Sequence, residues 1–110
     1  MKFNFKYKGK EFNLEVKECK TFFSKVHGLM FKKNSKPLLF IFSKSSKEAI
    51  HSFFCVPFIA IWFNKKNIVD IKVVRNRKFF IRPQKNFDKL LEIPSNTPYF
   101  NEFYRRYRNL

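Results

Sequence analysis

The chain has 110 residues, of which 20% are aromatic, and its formal net charge at pH 7 is +16. A chain of this length forms one domain with a single core, and its apolar content excludes an intrinsically disordered protein. Because 24 Lys and Arg residues face only 8 Asp and Glu residues, we expect a polyanionic partner, either nucleic acid, a ribonucleoprotein or an anionic membrane surface.

The cysteines and the longest apolar run bear on localisation. Cys19 and Cys55 form no CxxC pair, so we expect free thiols in a reducing cytoplasm and no zinc site. The run from residue 53 to residue 63 spans eleven residues, which is too short for a membrane-spanning helix. The first ten residues lack the apolar stretch of a signal peptide. We therefore expect a cytoplasmic protein.

Residues 2–17 are predicted to form a β-hairpin. Apolar side chains alternate with polar ones at positions 3, 5 and 7 and again at positions 12, 14 and 16, which is the period of half-buried strands. Gly9 supplies the turn between them. Beyond Thr21 the apolar spacing becomes helical, and this pattern predicts a short helix that ends near Gly28.

Apolar runs predict the remaining strands. They lie at residues 38–42, 50–55, 58–63, 68–74, 79–81 and 87–93. Residues 43–47 are predicted as a polar turn, and residues 64–67 as a hairpin turn. In the strand over residues 68–74, Val69, Ile71 and Val73 are predicted to share one face.

The C-terminus predicts an amphipathic helix. Pro98 follows Thr97 at the first helical position, and four aromatic side chains then share one face while three arginines lie away from it. These residues are Phe100, Phe103, Tyr104 and Tyr107, and Arg105, Arg106 and Arg108. The fold class is therefore mainly β (α+β). We expect a compact antiparallel β-barrel or sandwich over residues 1–97, with one short helix after the first hairpin, and a basic, aromatic helix or tail over residues 98–110.

Six segments resemble, in order and spacing, an uncharacterised conserved family, domain of unknown function 192, in the form of its archaeal-type cytosolic members. They are residues 27–32 (HGLMFK), 38–42 (LLFIF), 51–54 (HSFF), 57–64 (PFIAIWFN), 68–72 (IVDIK) and 91–96 (LEIPSN). The resemblance implies a compact β-rich fold with one or two small helices. It implies no reaction, because the family has no settled biochemical function.

This chain departs from the family pattern at several positions. His27 and Lys32 stand where the family motif has arginines, Ile59 stands where it has aspartate, and Asn96 replaces the closing glycine. If the aspartate carries chemistry in relatives, this chain has lost it. An inherited enzymatic role is correspondingly disfavoured.

No catalytic machinery, metal site or cofactor site is predicted. His51 and Cys55 lie four residues apart, which on a strand places them about 13 Å from each other and beyond hydrogen-bond reach. The acidic residues have no metal-ligand spacing and are expected to pair with lysines. Two glycines in the whole chain leave no phosphate-binding glycine loop. We expect a binding protein rather than an enzyme.

Three functional hypotheses follow from these patterns. The first is a polyanion-binding domain, for RNA or a ribonucleoprotein, that uses exposed cations, with nearby aromatics as base-stacking platforms. Its candidate residues are Lys32, Lys33, Lys36, Arg75, Arg77, Lys78, Arg82, Arg105, Arg106 and Arg108. The second is a ligand or enzymatic pocket near Gly28, Met30 and His51, which rests only on the family resemblance. The third is peripheral membrane attachment through the C-terminal helix.

Overall fold

A computed structural model describes residues 1–19, 36–46, 50–52, 57–74, 78–81 and 85–108. These parts of the chain form nine strands and a C-terminal helix, which we label in chain order. They are β1 (Lys2–Tyr7), β2 (Lys10–Glu15), β3 (Lys17–Cys19), β4 (Leu38–Ser46), β5 (Ile50–Ser52), β6 (Phe58–Asn64), β7 (Asn67–Val74), β8 (Lys78–Ile81), β9 (Phe87–Pro94) and α1 (Pro98–Arg108).

The strands form three sheets. The central sheet has five strands in the order β3-β4-β9-β6-β7, while β1 pairs with β2 and β5 pairs with β8. All pairs are antiparallel except β3 with β4, which is parallel. The mainly β fold with a C-terminal helix is confirmed. Among the described strands, the central sheet keeps two edges, β3 and β7, so these strands do not close into a barrel. The helix predicted after the first hairpin falls outside the described residues.

The two faces of the central sheet carry different side chains, because successive residues of a strand point to opposite faces. On the first face, a buried apolar layer packs beneath the β1–β2 hairpin and α1. This layer consists of Leu39, Ile59, Ile61, Phe63, Leu91 and Ile93, and it contacts Phe5, Phe12, Leu14, Val16, Phe100 and Phe103. The first face is therefore apolar at its centre and covered by two elements.

The second face of the sheet has its own buried cluster. It consists of Leu38, Phe40, Phe58, Ala60, Trp62, Val74, Phe87 and Leu90. The register of the strands also places polar side chains on this face. Glu92 pairs with Leu38 on one side and with Ala60 on the other, and Ala60 in turn pairs with Lys72. Glu92 therefore lies among apolar side chains of this face, in the same cross-strand row as Lys72.

Two predictions about the strands are wrong. The strand β4 continues through residues 43–46, which were predicted as a turn, because Ser46 pairs with Phe87 and backbone pairing does not need apolar side chains. In β7 a register shift lies opposite Trp62 and Phe63. The shift moves Val69 to the second face, where it packs against that cluster, while Ile71 and Val73 pack on the first. A bulge reverses the alternation that predicted one shared face.

The helix begins where the sequence predicts. Both the backbone N–H and the Oγ1 hydroxyl of Thr97 donate to the carbonyl oxygen of Pro94, at 3.2 and 3.0 Å. Phe100 N then donates to the Thr97 carbonyl at 3.2 Å. Phe100 and Phe103 are buried against the sheet, so α1 packs on the domain. Within the described residues, no helix has the length and apolarity needed to cross a membrane.

Candidate polyanion-binding surface

An open groove of about 630 Å³ lies between the β1–β2 hairpin and the turn that joins β6 to β7. Most of its polar lining comes from lysines and amides. The residues that carry this chemistry are Asn4, Lys6, Tyr7, Lys8, Lys66 and Asn67. Glu11 is the acidic side chain in the wall. Three ammonium groups against one carboxylate make this groove a cationic concavity, which we call the lysine groove.

The turns that shape the lysine groove have left-handed backbone conformations. The β1–β2 loop has two residues, and both Lys8 (φ +50°) and Gly9 (φ +78°) lie in the left-handed region. This combination is the type I′ geometry that matches the twist of a hairpin. Lys65, in the β6–β7 turn, is also left-handed, at φ +58°. Both turns carry lysines, and Lys8 from one and Lys66 from the other line the same groove.

The β6–β7 turn is held by strand β9. Lys65 N donates to both carboxylate oxygens of Asp88 at 3.1 Å, and Lys89 Nζ donates to the Lys65 carbonyl at 2.9 Å. The turn is thus anchored to the central sheet on one side, while Lys65 and Lys66 remain exposed. These hydrogen bonds fix the backbone from which the two exposed lysine side chains extend.

The lysine groove continues toward the C-terminal end of α1. Lys8 Nζ lies 3.4 Å from the carbonyl oxygens of both Arg106 and Tyr107, where the negative end of the helix favours a cation. Lys10 Nζ forms an ion pair with Glu102 at 2.6 Å. The hairpin and the last turns of α1 therefore form one surface, and the exposed Arg105, Arg106 and Arg108 extend it.

The described residues include some of the cations predicted to contact a polyanion, and the others fall outside them. Lys36, before β4, is exposed, as are the three arginines of α1. Lys78 lies in β8. Lys32, Lys33, Arg75, Arg77 and Arg82 fall outside the described residues. Sequence reasoning missed Lys6, Lys8 and Lys66, although the positions of Lys8 and Lys66 at the tips of two predicted hairpins were a usable signal.

The aromatic side chains of α1 belong largely to the core rather than to a stacking platform. The ring of Phe103 lies 5.9, 5.0 and 5.3 Å from the rings of Phe5, Tyr7 and Phe12. Tyr107 stacks on Phe103 at 6.3 Å. Insertion of Phe100 and Phe103 into a membrane interface would require these rings to leave the core, whereas Tyr104 and Tyr107 are half-buried. Membrane attachment through this helix stays a prediction.

The pocket hypothesis is not tested by the described residues. Gly28 and Met30 fall outside them. His51 lies in β5, and the next residue, Ser52, pairs with Lys78 of β8. The pocket near these three residues therefore stays a prediction. In the part of the chain that the structure describes, no three His, Cys, Asp or Glu side chains are grouped so as to hold a metal ion.

The expectation that the acids pair with lysines holds for Glu102 and Asp88, which form ion pairs with Lys10 and Lys89, and is wrong for Glu92. Glu15 accepts a hydrogen bond from the Met1 ammonium group at 2.8 Å, which lowers the pKa of Glu15. Glu92 is 1% exposed, and burial raises its pKa from 4.5 to about 8. Among the described residues, its Oε2 atom has no hydrogen-bond partner. A glutamate inside the apolar run of residues 90–93 was the sequence signal for this exception.

Comparisons with known proteins identify the fold and not the family. No family model matches the chain, and no curated protein matches it. Two solved structures resemble it. A proposed transcription regulator from Sinorhizobium meliloti 1021 has a TM-score of 0.70 and 16% identity, covering 83% of this chain and 76% of its own. A protein of unknown function from Novosphingobium aromaticivorans DSM 12444 has a TM-score of 0.71 and 13% identity, covering 83% and 70%.

Proposed function

We propose that this protein is a non-catalytic domain that binds RNA, alone or within a ribonucleoprotein, through the lysine groove and the arginines of α1. The observation that carries the proposal is the convergence of three lysines from two separate hairpins, Lys6, Lys8 and Lys66, on one groove. The net charge of +16 supports a polyanionic partner for the chain as a whole. The regulator-like structural neighbour is compatible with a nucleic-acid partner, but at 16% identity the likeness extends only to the fold.

Binding of this kind depends on the phosphate backbone. Lysine is a flexible point charge and suits phosphate oxygens without reading base edges. Asn4 and Asn67 line the same groove and offer amide donors and acceptors to sugars or bases. Because the aromatic face of α1 is largely used by the core, we expect low sequence specificity and little base stacking on the helix.

The test is a titration of labelled single-stranded RNA at about 50 and about 200 mM salt. Six phosphate contacts, from the three lysines and three arginines, give a salt slope of about 4 for a single strand, which is roughly a 300-fold loss of affinity over this range. Binding that does not change with salt, or no binding at the lower salt, would contradict the proposal.

A pair of double variants locates the contact. We expect Lys6→Ala with Lys66→Ala to weaken binding and to lower the salt slope by about 0.7 for each lost contact. Lys2→Ala with Lys85→Ala removes the same charge from two exposed lysines that do not line the groove, and it should bind nearly as tightly as the parent. Equal losses in both pairs would show that the net charge acts without the groove.

A further inference from the structure

One wall of the lysine groove is an edge of strand β1. Five consecutive residues, 4–8, line the groove. Successive side chains of a strand point to opposite faces, so a consecutive run indicates that the groove follows the edge of the strand, where the backbone is accessible. Among the described strands, β2 is the one neighbour of β1. The groove therefore presents main-chain groups of β1 as well as lysine side chains.

The register of the hairpin determines which backbone groups point to this edge. Hydrogen-bonded and non-hydrogen-bonded pairs alternate along an antiparallel ladder. The pair that closes the two-residue turn is hydrogen-bonded, and at the other end of the hairpin Val16 N donates to the Met1 carbonyl at 2.8 Å. Asn4 and Lys6 lie at the alternate, non-hydrogen-bonded positions. Their N–H and C=O groups therefore point away from β2 and toward the groove.

A strand edge of this kind is a template for one more strand. The main chain of Asn4 and Lys6 offers two donors and two acceptors to it. A second copy of β1 is disfavoured in this place, because Lys2, Lys6 and Lys8 alternate along the strand and would meet the same lysines of the copy. The same charges favour an added strand that carries acids.

The two faces of an added strand would meet different chemistry. On the outer face its side chains would lie beside Lys6, which is exposed, while Glu11 on β2 lies one strand further away, at about twice the 4.8 Å strand spacing. On the inner face its side chains would meet Tyr7 and Ile68, which line the groove and pack against the first core cluster. The strand that fits alternates acidic and apolar residues.

We propose that the β1 edge of the lysine groove binds an extended peptide of alternating acidic and apolar residues as a third strand beside β1 and β2. In this mode of recognition, main-chain hydrogen bonds supply affinity and alternate side chains supply specificity. The inference goes beyond RNA binding, because it uses the backbone of β1, and it stands whether or not RNA binds.

The experiment titrates the full chain into a fluorescently labelled peptide, Glu-Val-Glu-Val-Glu-Val-Glu, at constant ionic strength and follows anisotropy. We expect saturable binding of this peptide and no binding of the peptide in which every glutamate is replaced by lysine. No saturable binding of the acidic peptide, or equal binding of both peptides, would overturn the proposal.

Backbone methylation separates strand addition from attraction of charge. Successive N–H groups of a strand point to opposite sides, so an added strand bonds β1 through the N–H groups of its glutamates or of its valines, but not of both. Two further peptides carry N-methyl groups either on the glutamates or on the valines. We expect one of them to bind at least about ten-fold more weakly than the other. Equal affinities of the two methylated peptides would overturn the proposal.

Variants of the protein test the edge from the other side. Asn4→Pro removes an outward N–H, which an edge strand tolerates, and Asn4→Ala removes the same amide side chain but keeps that N–H. Peptide affinity should be about five-fold lower in Asn4→Pro than in Asn4→Ala, the usual effect of one lost hydrogen bond. Asn13→Pro makes the matched change on the opposite edge of the hairpin and should bind the peptide like the parent.

The same proteins titrated with single-stranded RNA distinguish this proposal from the proposed function. Peptide binding without RNA binding would support the strand edge and contradict the RNA proposal, and RNA binding without peptide binding would do the reverse. A loss of RNA affinity in Asn4→Pro, with peptide affinity equal to that of Asn4→Ala, would assign the edge to RNA and overturn the peptide proposal. If Asn4→Pro does not fold, the methylated peptides still decide, since they are tested on the parent.

Discussion

The two faces of the central sheet are equally buried but are built from different chemistry. The first face packs aliphatic and aromatic side chains under the β1–β2 hairpin and α1, with Leu91 and Ile61 at its centre. The second face places Glu92 and the Trp62 indole in the corresponding position. The two faces are therefore similar in burial and differ in the satisfaction of their polar atoms, because Trp62 Nε1 and Glu92 Oε2 have no hydrogen-bond partner among the described residues.

The largest expected loss of stability comes from removing an aromatic ring at the centre of the first face. Phe103 is fully buried and its ring contacts those of Phe5, Tyr7 and Phe12. We expect Phe103→Ala to lower the free energy of unfolding by about 3–5 kcal/mol, because it leaves a cavity between the helix and the hairpin. Urea denaturation measures the change. Arg105→Ala, exposed on the same helix, is the control and should shift stability by less than about 0.5 kcal/mol.

A matched pair of leucines compares the faces directly. Leu91 and Leu90 are adjacent, equally buried and on opposite faces. Leu91→Ala should cost about 2–5 kcal/mol. Leu90→Ala should cost less, because Leu90 pairs with Trp62 and water that enters the cavity can satisfy the indole N–H. Urea denaturation of both variants gives the comparison. Equal losses of unfolding free energy would show that the unpaired Trp62 indole N–H does not affect stability.

The smallest effect concerns the way α1 is attached to the first face. Thr97→Ala removes the hydroxyl that donates to the Pro94 carbonyl. Its removal should lower the free energy of unfolding by about 1 kcal/mol, the usual cost of a lost cap or of one lost hydrogen bond. Thr97→Ser keeps the hydroxyl and should restore most of the stability in the same thermal denaturation assay. A serine variant as unstable as the alanine variant would assign the loss to the methyl group instead.

Local patterns predicted the parts of the fold that depend on local physics. The alternation over residues 2–17 predicted the β1–β2 hairpin, and Thr97 with Pro98 predicted the helix start, because turn and cap chemistry are encoded within a few residues. The bulge at Val69 could not be predicted in this way. The bulge depends on how β7 pairs with the neighbouring strand, and the sequence of one strand does not determine that register.

The candidate sites were harder to predict for the same reason. The lysine groove joins Lys6 and Lys66, which are sixty residues apart in the chain, and only the tertiary fold brings them together. The exposed arginines of α1 were predicted correctly as cations on the outer side of the helix. Glu92 was expected to have a lysine partner, because composition describes the average acid of a basic chain and not an acid inside a buried strand.

The central claim is that the second face buries an acid, Glu92, that has no compensating charge among the described residues, and the pH dependence of stability tests it most directly. Burial raises the pKa of Glu92 from 4.5 to about 8, so between these values the folded protein binds more protons than the unfolded chain. Stability contributed at this position is then greatest at low pH and is lost as the pH rises toward 8. Glu92→Gln removes this titratable group and keeps a side chain of nearly the same size and shape.

The measurement is the free energy of unfolding, by urea, of the parent and of Glu92→Gln at about pH 5 and about pH 8. The account predicts that the variant gains stability over the parent by a few kcal/mol between these two values, since a pKa difference of one unit corresponds to about 1.4 kcal/mol. A stability difference that stays constant across this range would contradict the account, because it would mean that Glu92 is ionised and compensated in the folded protein.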